Sequence, residues 1–78
     1  MRGCYERGVA HDATLRGEIL VRLRVETGGR VSQTSLSGDD ALRSVGRCIE
    51  DALRTVVFPS PDGGAATVTV PYVFRPGD

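Results

Sequence analysis

The chain has 78 residues, of which 40% are hydrophobic, 26% charged and 5% aromatic. This length predicts one small domain covering residues 1–78. Ten basic residues, all arginine, balance ten acidic ones, which argues against a protein that binds its partner mainly through phosphate groups. The chain has no apolar run of about 18 residues and does not begin with a charged stretch followed by an apolar block, so we expect neither a membrane span nor a signal peptide.

The first part of the chain predicts a weak helix followed by a clear strand. The helical pattern covers Arg2 to His11, where Gly8 weakens it. From Glu18 to Glu26, apolar residues alternate with mostly charged ones, as expected for a strand with one buried face. The residues predicted to be buried are Ile19, Val21, Leu23 and Val25.

A tight turn is predicted at 27–30, because Gly28 and Gly29 tolerate the positive backbone angles of a hairpin. The residues from Val31 to Ser37 then form a second, antiparallel strand.

A helix is predicted from about Asp39 to Thr55. Ser37 followed by Asp40 resembles a capping box at its start, and Glu50 and Arg54 have the spacing of an ion pair. Its apolar stripe comprises Leu42, Val45, Ile49, Ala52, Leu53 and Val56.

The last part of the chain predicts a loop from Phe58 to Gly64 and a third strand from Ala65 to Phe74, followed by a tail. We therefore predict an α+β fold, in which a three-stranded antiparallel sheet packs against two helices and the third strand lies beside the first. Pro71 has no main-chain N–H to donate to a neighbouring strand, so the third strand is predicted to lie at an edge of the sheet. The residues before it are uncharged, so this edge is either a docking site for an extended peptide or an ordinary edge blunted by proline.

The sequence predicts no catalytic residue, no metal site and no cofactor, because no catalytic triad, phosphate loop or metal-ligand set is present. A cysteine–histidine pair would need a free Cys4 thiol beside His11. Cys4 and Cys48 can form one disulfide, which would close a loop of about 45 residues and stabilise the fold by roughly 4 kcal/mol. Alternatively, they are two buried thiols. Nucleic acid is not expected as a partner, because the few aromatic residues look like core.

Several segments together resemble the TonB-like C-terminal domain, and most closely its two-cysteine version in myxobacterial gliding-motility proteins of the AgmX/PglI type. One departure is Glu6 after Tyr5, where TonB itself usually has proline. The segments that carry the resemblance are Cys4-Tyr5-Glu6-Arg7, Leu15-Arg16-Gly17, Val21-Arg22-Leu23-Arg24-Val25, Gly29-Arg30-Val31, Cys48-Ile49, Phe58-Pro59-Ser60-Pro61 and Val68-Thr69-Val70-Pro71-Tyr72-Val73-Phe74.

The resemblance implies a non-enzymatic periplasmic domain at the end of an inner-membrane-anchored protein that is driven by a proton-powered motor. It implies a Cys4–Cys48 disulfide and a partner segment of an outer-membrane or envelope protein, added as a strand beside the last strand. Two alternatives remain open: a structural envelope adaptor that binds peptidoglycan, and a homodimer formed by edge pairing. The implied docking edge comprises Thr67, Val68, Thr69, Val70, Pro71, Tyr72, Val73 and Phe74.

Overall fold

The computed structural model describes residues 2–76 and shows a single antiparallel sheet covered by two helices on one face. The strands run in the order β2-β1-β3, so the predicted α+β class and the place of the third strand beside the first are confirmed. No helix in this part of the chain is long and apolar enough to cross a membrane. The elements are α1 (Arg2–His11), β1 (Gly17–Val25), β2 (Val31–Gly38), a 3₁₀ helix (Asp40–Leu42), α2 (Arg43–Arg54) and β3 (Ala66–Phe74).

The core is built on the inner face of β1, the central strand. Its alternation of buried and exposed residues follows from the period of two in a pleated strand. The inner side chains of β1 pack beneath α2, whose buried residues recur at helical spacing. The two sets are Ile19, Val21, Leu23 and Val25 on β1, and Val45, Ile49 and Leu53 on α2 with Leu42 just before it.

The predicted tight turn joins β1 to β2. Gly28 and Gly29 have φ angles of 94° and 87°, which side chains disfavour, and Glu26 N–H donates to the Arg30 carbonyl at 2.8 Å. Phe58 N–H donates to the Gly29 carbonyl at 2.9 Å, so the chain after α2 is attached to this turn before it enters β3.

The predicted capping box at the start of the second helix is wrong. Ser37 belongs to β2 and pairs with Leu20 of β1, so it lies in the sheet rather than at a helix start. The preceding 3₁₀ helix begins after Asp39, whose side chain makes no capping hydrogen bond. That carboxylate instead accepts the Glu18 N–H at 2.8 Å and joins the end of β2 to the start of β1.

The end of the second helix also differs from the prediction. The helix ends at Arg54, so Val56 lies beyond the apolar stripe and is 41% exposed. Arg54 does not pair directly with Glu50. It lies 3.4 Å from Asp51 and donates to the Thr34 hydroxyl at 2.9 Å, which in turn donates to Glu50 at 2.6 Å.

A disulfide between Cys4 and Cys48 fastens α1 to α2, with the two Cα atoms 5.7 Å apart. The implied bridge is therefore present. The Tyr5 hydroxyl also donates to the Leu15 carbonyl at 2.7 Å, which ties α1 to the segment that leads into β1. These contacts fix a helix whose own sequence is only weakly helix-forming.

Candidate docking edge

The last strand lies at a free edge of the sheet. β3 pairs with β1 over its whole length, from Phe74 opposite Gly17 to Ala66 opposite Val25. Within residues 2–76, no strand pairs with its other side. The residues predicted to form the edge therefore lie on one continuous edge strand: Thr67, Val68, Thr69, Val70, Pro71, Tyr72, Val73 and Phe74.

Hydrogen bonds at the start of β1 show which main-chain groups of β3 are free. The N–H and carbonyl of Glu18 both face the β2 side, where they bond to the carboxylate and the N–H of Asp39. Because these directions alternate along a strand, Ile19 and every second residue after it face β3. Their partners on β3 are bonded to β1, and the residues between those partners point away from the sheet.

The outward-facing residues of β3 are those opposite Glu18, Leu20, Arg22 and Arg24. The proline at position 71 has a carbonyl but no N–H, so it interrupts the row of donors without interrupting the row of acceptors. An added strand can form hydrogen bonds on both sides of this gap. With respect to residues 2–76, the free groups are thus the N–H groups of Thr67, Thr69 and Val73, and the carbonyls of Thr67, Thr69, Pro71 and Val73.

The inner face of β3 is only partly covered by the helices. Val68 lies opposite Leu23, yet it is 37% exposed, whereas Leu23 is fully buried. Val70, opposite the buried Val21, is half-buried. An added strand would extend this apolar surface, because alternate side chains of the newcomer would lie beside these valines.

The other end of β3 is held firmly. The Phe74 ring stacks on Tyr5 of α1 with centroids 4.7 Å apart, and Tyr72 lies parallel to Phe74 at 6.1 Å. Partial burial raises the pKa of the Tyr72 hydroxyl. This end anchors the edge strand to the helical layer.

The outer face beside the edge has two distinct parts. Leu20 (42% exposed) and Val73 (53% exposed) flank Pro71 and line a cavity of about 340 Å³. The next pair along is Arg22 opposite Thr69, and both residues are exposed. Sequence reasoning missed Leu20 and Arg22 as site residues, although Leu20 is an apolar residue on the otherwise charged face of β1.

The opposite edge of the sheet is different. The Thr34 hydroxyl of β2 is hydrogen-bonded to Glu50 and Arg54 of α2, so charged side chains lie beside this edge strand. Charge at an edge opposes the addition of another strand, and the uncharged β3 lacks this protection. The two edges of the sheet are therefore not equivalent.

The cysteine–histidine pair considered from the sequence is ruled out by the disulfide. Cys4 is in the disulfide and has no thiol to share with His11, which is exposed at the end of α1. Across residues 2–76, no group of three histidine, cysteine or acidic side chains is placed to hold a metal ion.

These features define a small disulfide-bonded α+β domain whose sheet is open on one side. The chain is similar to the tyrosine-protein kinase MasK of Myxococcus xanthus (strain DK1622), with 32% identity over 72 residues. The match covers 92% of this chain and 11% of MasK. No family model and no solved structure match the chain, so the likeness to the TonB-like domain stays a prediction.

Proposed function

We propose that this chain is a non-enzymatic interaction domain of a bacterial envelope protein, which docks an extended partner segment as a fourth strand beside β3. The observation that carries the proposal is the row of free main-chain groups on an uncharged edge strand. Main-chain hydrogen bonds supply affinity in this mode of binding, and side chains beside the edge supply specificity.

Three observations support an envelope setting. The disulfide fits a compartment outside the cytoplasm, because disulfides form and persist in oxidising surroundings. The similarity to a Myxococcus protein agrees with the myxobacterial character of the sequence resemblance. That resemblance, to domains of energy-transducing and gliding-motility proteins, supports a periplasmic location in an inner-membrane-anchored protein coupled to a proton-driven motor.

The similarity to a kinase does not lead us to propose phosphoryl transfer. Protein kinases position ATP with a glycine-rich loop and a lysine. This chain contains no lysine, and its paired glycines occur in turns. We propose that the segment shared with MasK serves as an interaction module.

The proposed mechanism is mechanical coupling. A pull on a guest strand that is bonded along β3 loads the hydrogen bonds in shear, so all of them resist the force at the same time. The load passes through β1, which pairs with β3 over nine register positions, and the disulfide holds α1 to α2. No reactive side chain takes part.

The test is an NMR titration of the isotope-labelled domain with an extended peptide as long as β3, in which threonine and valine alternate. We expect the largest shifts at the outward amides of Thr67, Thr69 and Val73. The same peptide with methylated main-chain nitrogens is the control, because it lacks the donors of a ladder. Shifts confined to other surfaces, or equal binding of both peptides, would refute strand addition.

A second candidate function is that of a structural adaptor that binds peptidoglycan. The observation favouring it is a polar groove of about 550 Å³ between β2 and α2, a location and lining unlike those of the β3 edge. Soluble muropeptides should then shift the amides of Ser35 and Ser37 and leave Thr69 unchanged. The groove is lined by residues including Thr34, Ser35, Ser37, Asp39, Arg47 and Glu50.

A further inference from the structure

We propose that the guest strand carries a carboxylate that pairs with Arg22 and, two residues away on the same face, an apolar side chain that packs against Leu20 and Pro71. This inference rests on the proposed function and names the chemistry of its partner: an extended segment with an acidic and an apolar residue at alternate positions.

Arg22 is exposed on the outer face and makes no ion pair with any residue in 2–76. Its neighbour on that face, Arg24, is already paired with Glu26 at 2.8 Å. Only Thr69, which is small and neutral, separates the Arg22 position from the free edge. A guest strand would lie roughly 10 Å from β1, two strand spacings away, within the combined reach of an arginine and an acidic side chain.

The apolar requirement comes from the neighbouring register position. Leu20 lies opposite Pro71, two residues along from the pair of Arg22 and Thr69. Leu20, opposite the proline on β1, and Val73, two residues further along β3, remain substantially exposed. Side chains on one face of a strand recur every second residue, so the guest must place an apolar group beside Pro71 when its carboxylate lies beside Thr69.

Charge along the edge also fixes the placement of the guest. Arg22 and Arg24 lie toward the Thr67 end of β3, whereas Glu18 lies opposite Val73 at the other end. An acidic guest residue is therefore attracted to one end and repelled from the other. A basic residue beside Thr69 would add a third positive charge to this end of the face.

A second copy of the chain that pairs through its own β3 does not meet these requirements, because β3 contains no acidic residue to place beside Thr69 in any register. The observations thus favour a different protein segment as the occupant, with electrostatic matching supplying selectivity.

The experiment uses the labelled domain and three peptides of alternating threonine and valine. These differ at one threonine position, which carries aspartate, asparagine or lysine, and the threonine two residues away is replaced by leucine, so that both side chains lie on one face. The two positions are moved along the peptide together. We expect the best aspartate peptide to bind about two- to fivefold more tightly than its asparagine counterpart, with lysine weakest. In Arg22→Glu the order should reverse, with lysine strongest.

Arg47→Glu is the matched control, because Arg47 is an exposed arginine on α2 and not on the sheet. It should keep the wild-type order of the three peptides. If all peptides shift the outward amides of β3 with equal affinity, the charge inference fails while strand addition stands. If none shifts those amides, strand addition itself fails. A reversal of the order by both variants would show a general effect of net charge and would also overturn the inference.

Discussion

Gly46 determines how closely α2 can lie on the sheet. A Cβ atom at this position would come within 2.5 Å of the Leu36 side chain of β2. The glycine thus brings Val45 and Ile49 of the same helix, 2% and 0% exposed, into the core over β1. Single positions of this kind matter for stability because a domain of this size has a small hydrophobic core.

Ile49→Asp should unfold the domain, because an unpaired carboxylate would replace a fully buried side chain. Arg47→Asp, two residues earlier on the exposed face, is the control and should remain folded. Circular dichroism on heating measures both. A cooperative melt of Ile49→Asp at the wild-type temperature would show that this helix face is not in the core.

Replacing both Cys4 and Cys48 by alanine should lower the free energy of unfolding by about 2–4 kcal/mol, because the bridge closes a loop spanning 44 residues. Urea titration of the oxidised and the doubly substituted protein measures this difference. A reducing agent should destabilise the wild type by a similar amount and leave the variant unchanged. Equal midpoints in urea would mean that the bridge adds nothing to stability.

At the scale of elements, the hairpin of β1 and β2 contains a charge network at its open end. The Glu26 carboxylate accepts hydrogen bonds from Ser32 and Arg24, and these hold its pKa below the ordinary value. A carboxylate with a lowered pKa stabilises the folded state above its ordinary pKa. That stabilisation is lost as the pH falls through the lowered value.

Glu26→Gln should therefore be less stable than the wild type near neutral pH, and the difference should shrink on acidification below about pH 4. Free energies of unfolding measured across this range test the expectation. Thr27→Ala, at an exposed position in the neighbouring turn that does not titrate, serves as the control and should show no such trend. A difference that is constant with pH would rule out the role assigned to the Glu26 charge.

The elements were predictable to different degrees, for physical reasons. The alternation in β1 and the stripe in α2 report burial directly, so both were predicted with their buried residues. Val56 was wrongly included in the stripe, because the helix ends at Arg54 and leaves Val56 exposed. Ser37 was misassigned because serine caps helices in isolation, but here its main chain is committed to pairing with Leu20. The outward groups of β3, and the lack of an ion pair between Arg22 and any other residue in 2–76, depend on register across strands, which a single sequence does not reveal.

At the scale of the whole molecule, the domain is elongated, with extents of 43 × 19 × 18 Å. Its radius of gyration, 13.5 Å, exceeds the roughly 11.5 Å expected of a compact chain of this length. The helical layer covers β1 and leaves the middle of β3 partly bare. An open edge on one side of a long, thin domain suits contact with another extended chain.

Pro71 also limits pairing between two copies. A symmetric antiparallel dimer centred on Val70 would place Thr69 opposite the partner's Pro71 twice, and each time a hydrogen bond would be missing. Pro71→Val restores both donors and should strengthen dimerisation about ten- to hundredfold. Sedimentation equilibrium measures the dissociation constant of the dimer. Thr69→Val adds a similar apolar group without adding a donor, so an equal effect of the two variants would contradict this explanation.

Hydrogen exchange of individual amides in the free, monomeric domain tests the central claim most directly. The amides of Thr67, Thr69 and Val73 should exchange rapidly, whereas those of Val68 and Val70, bonded to β1, should be protected. Adding a bound guest peptide should then protect the first group. Strong protection of Thr67, Thr69 and Val73 in the free monomer would show that the edge is already occupied and would contradict the account.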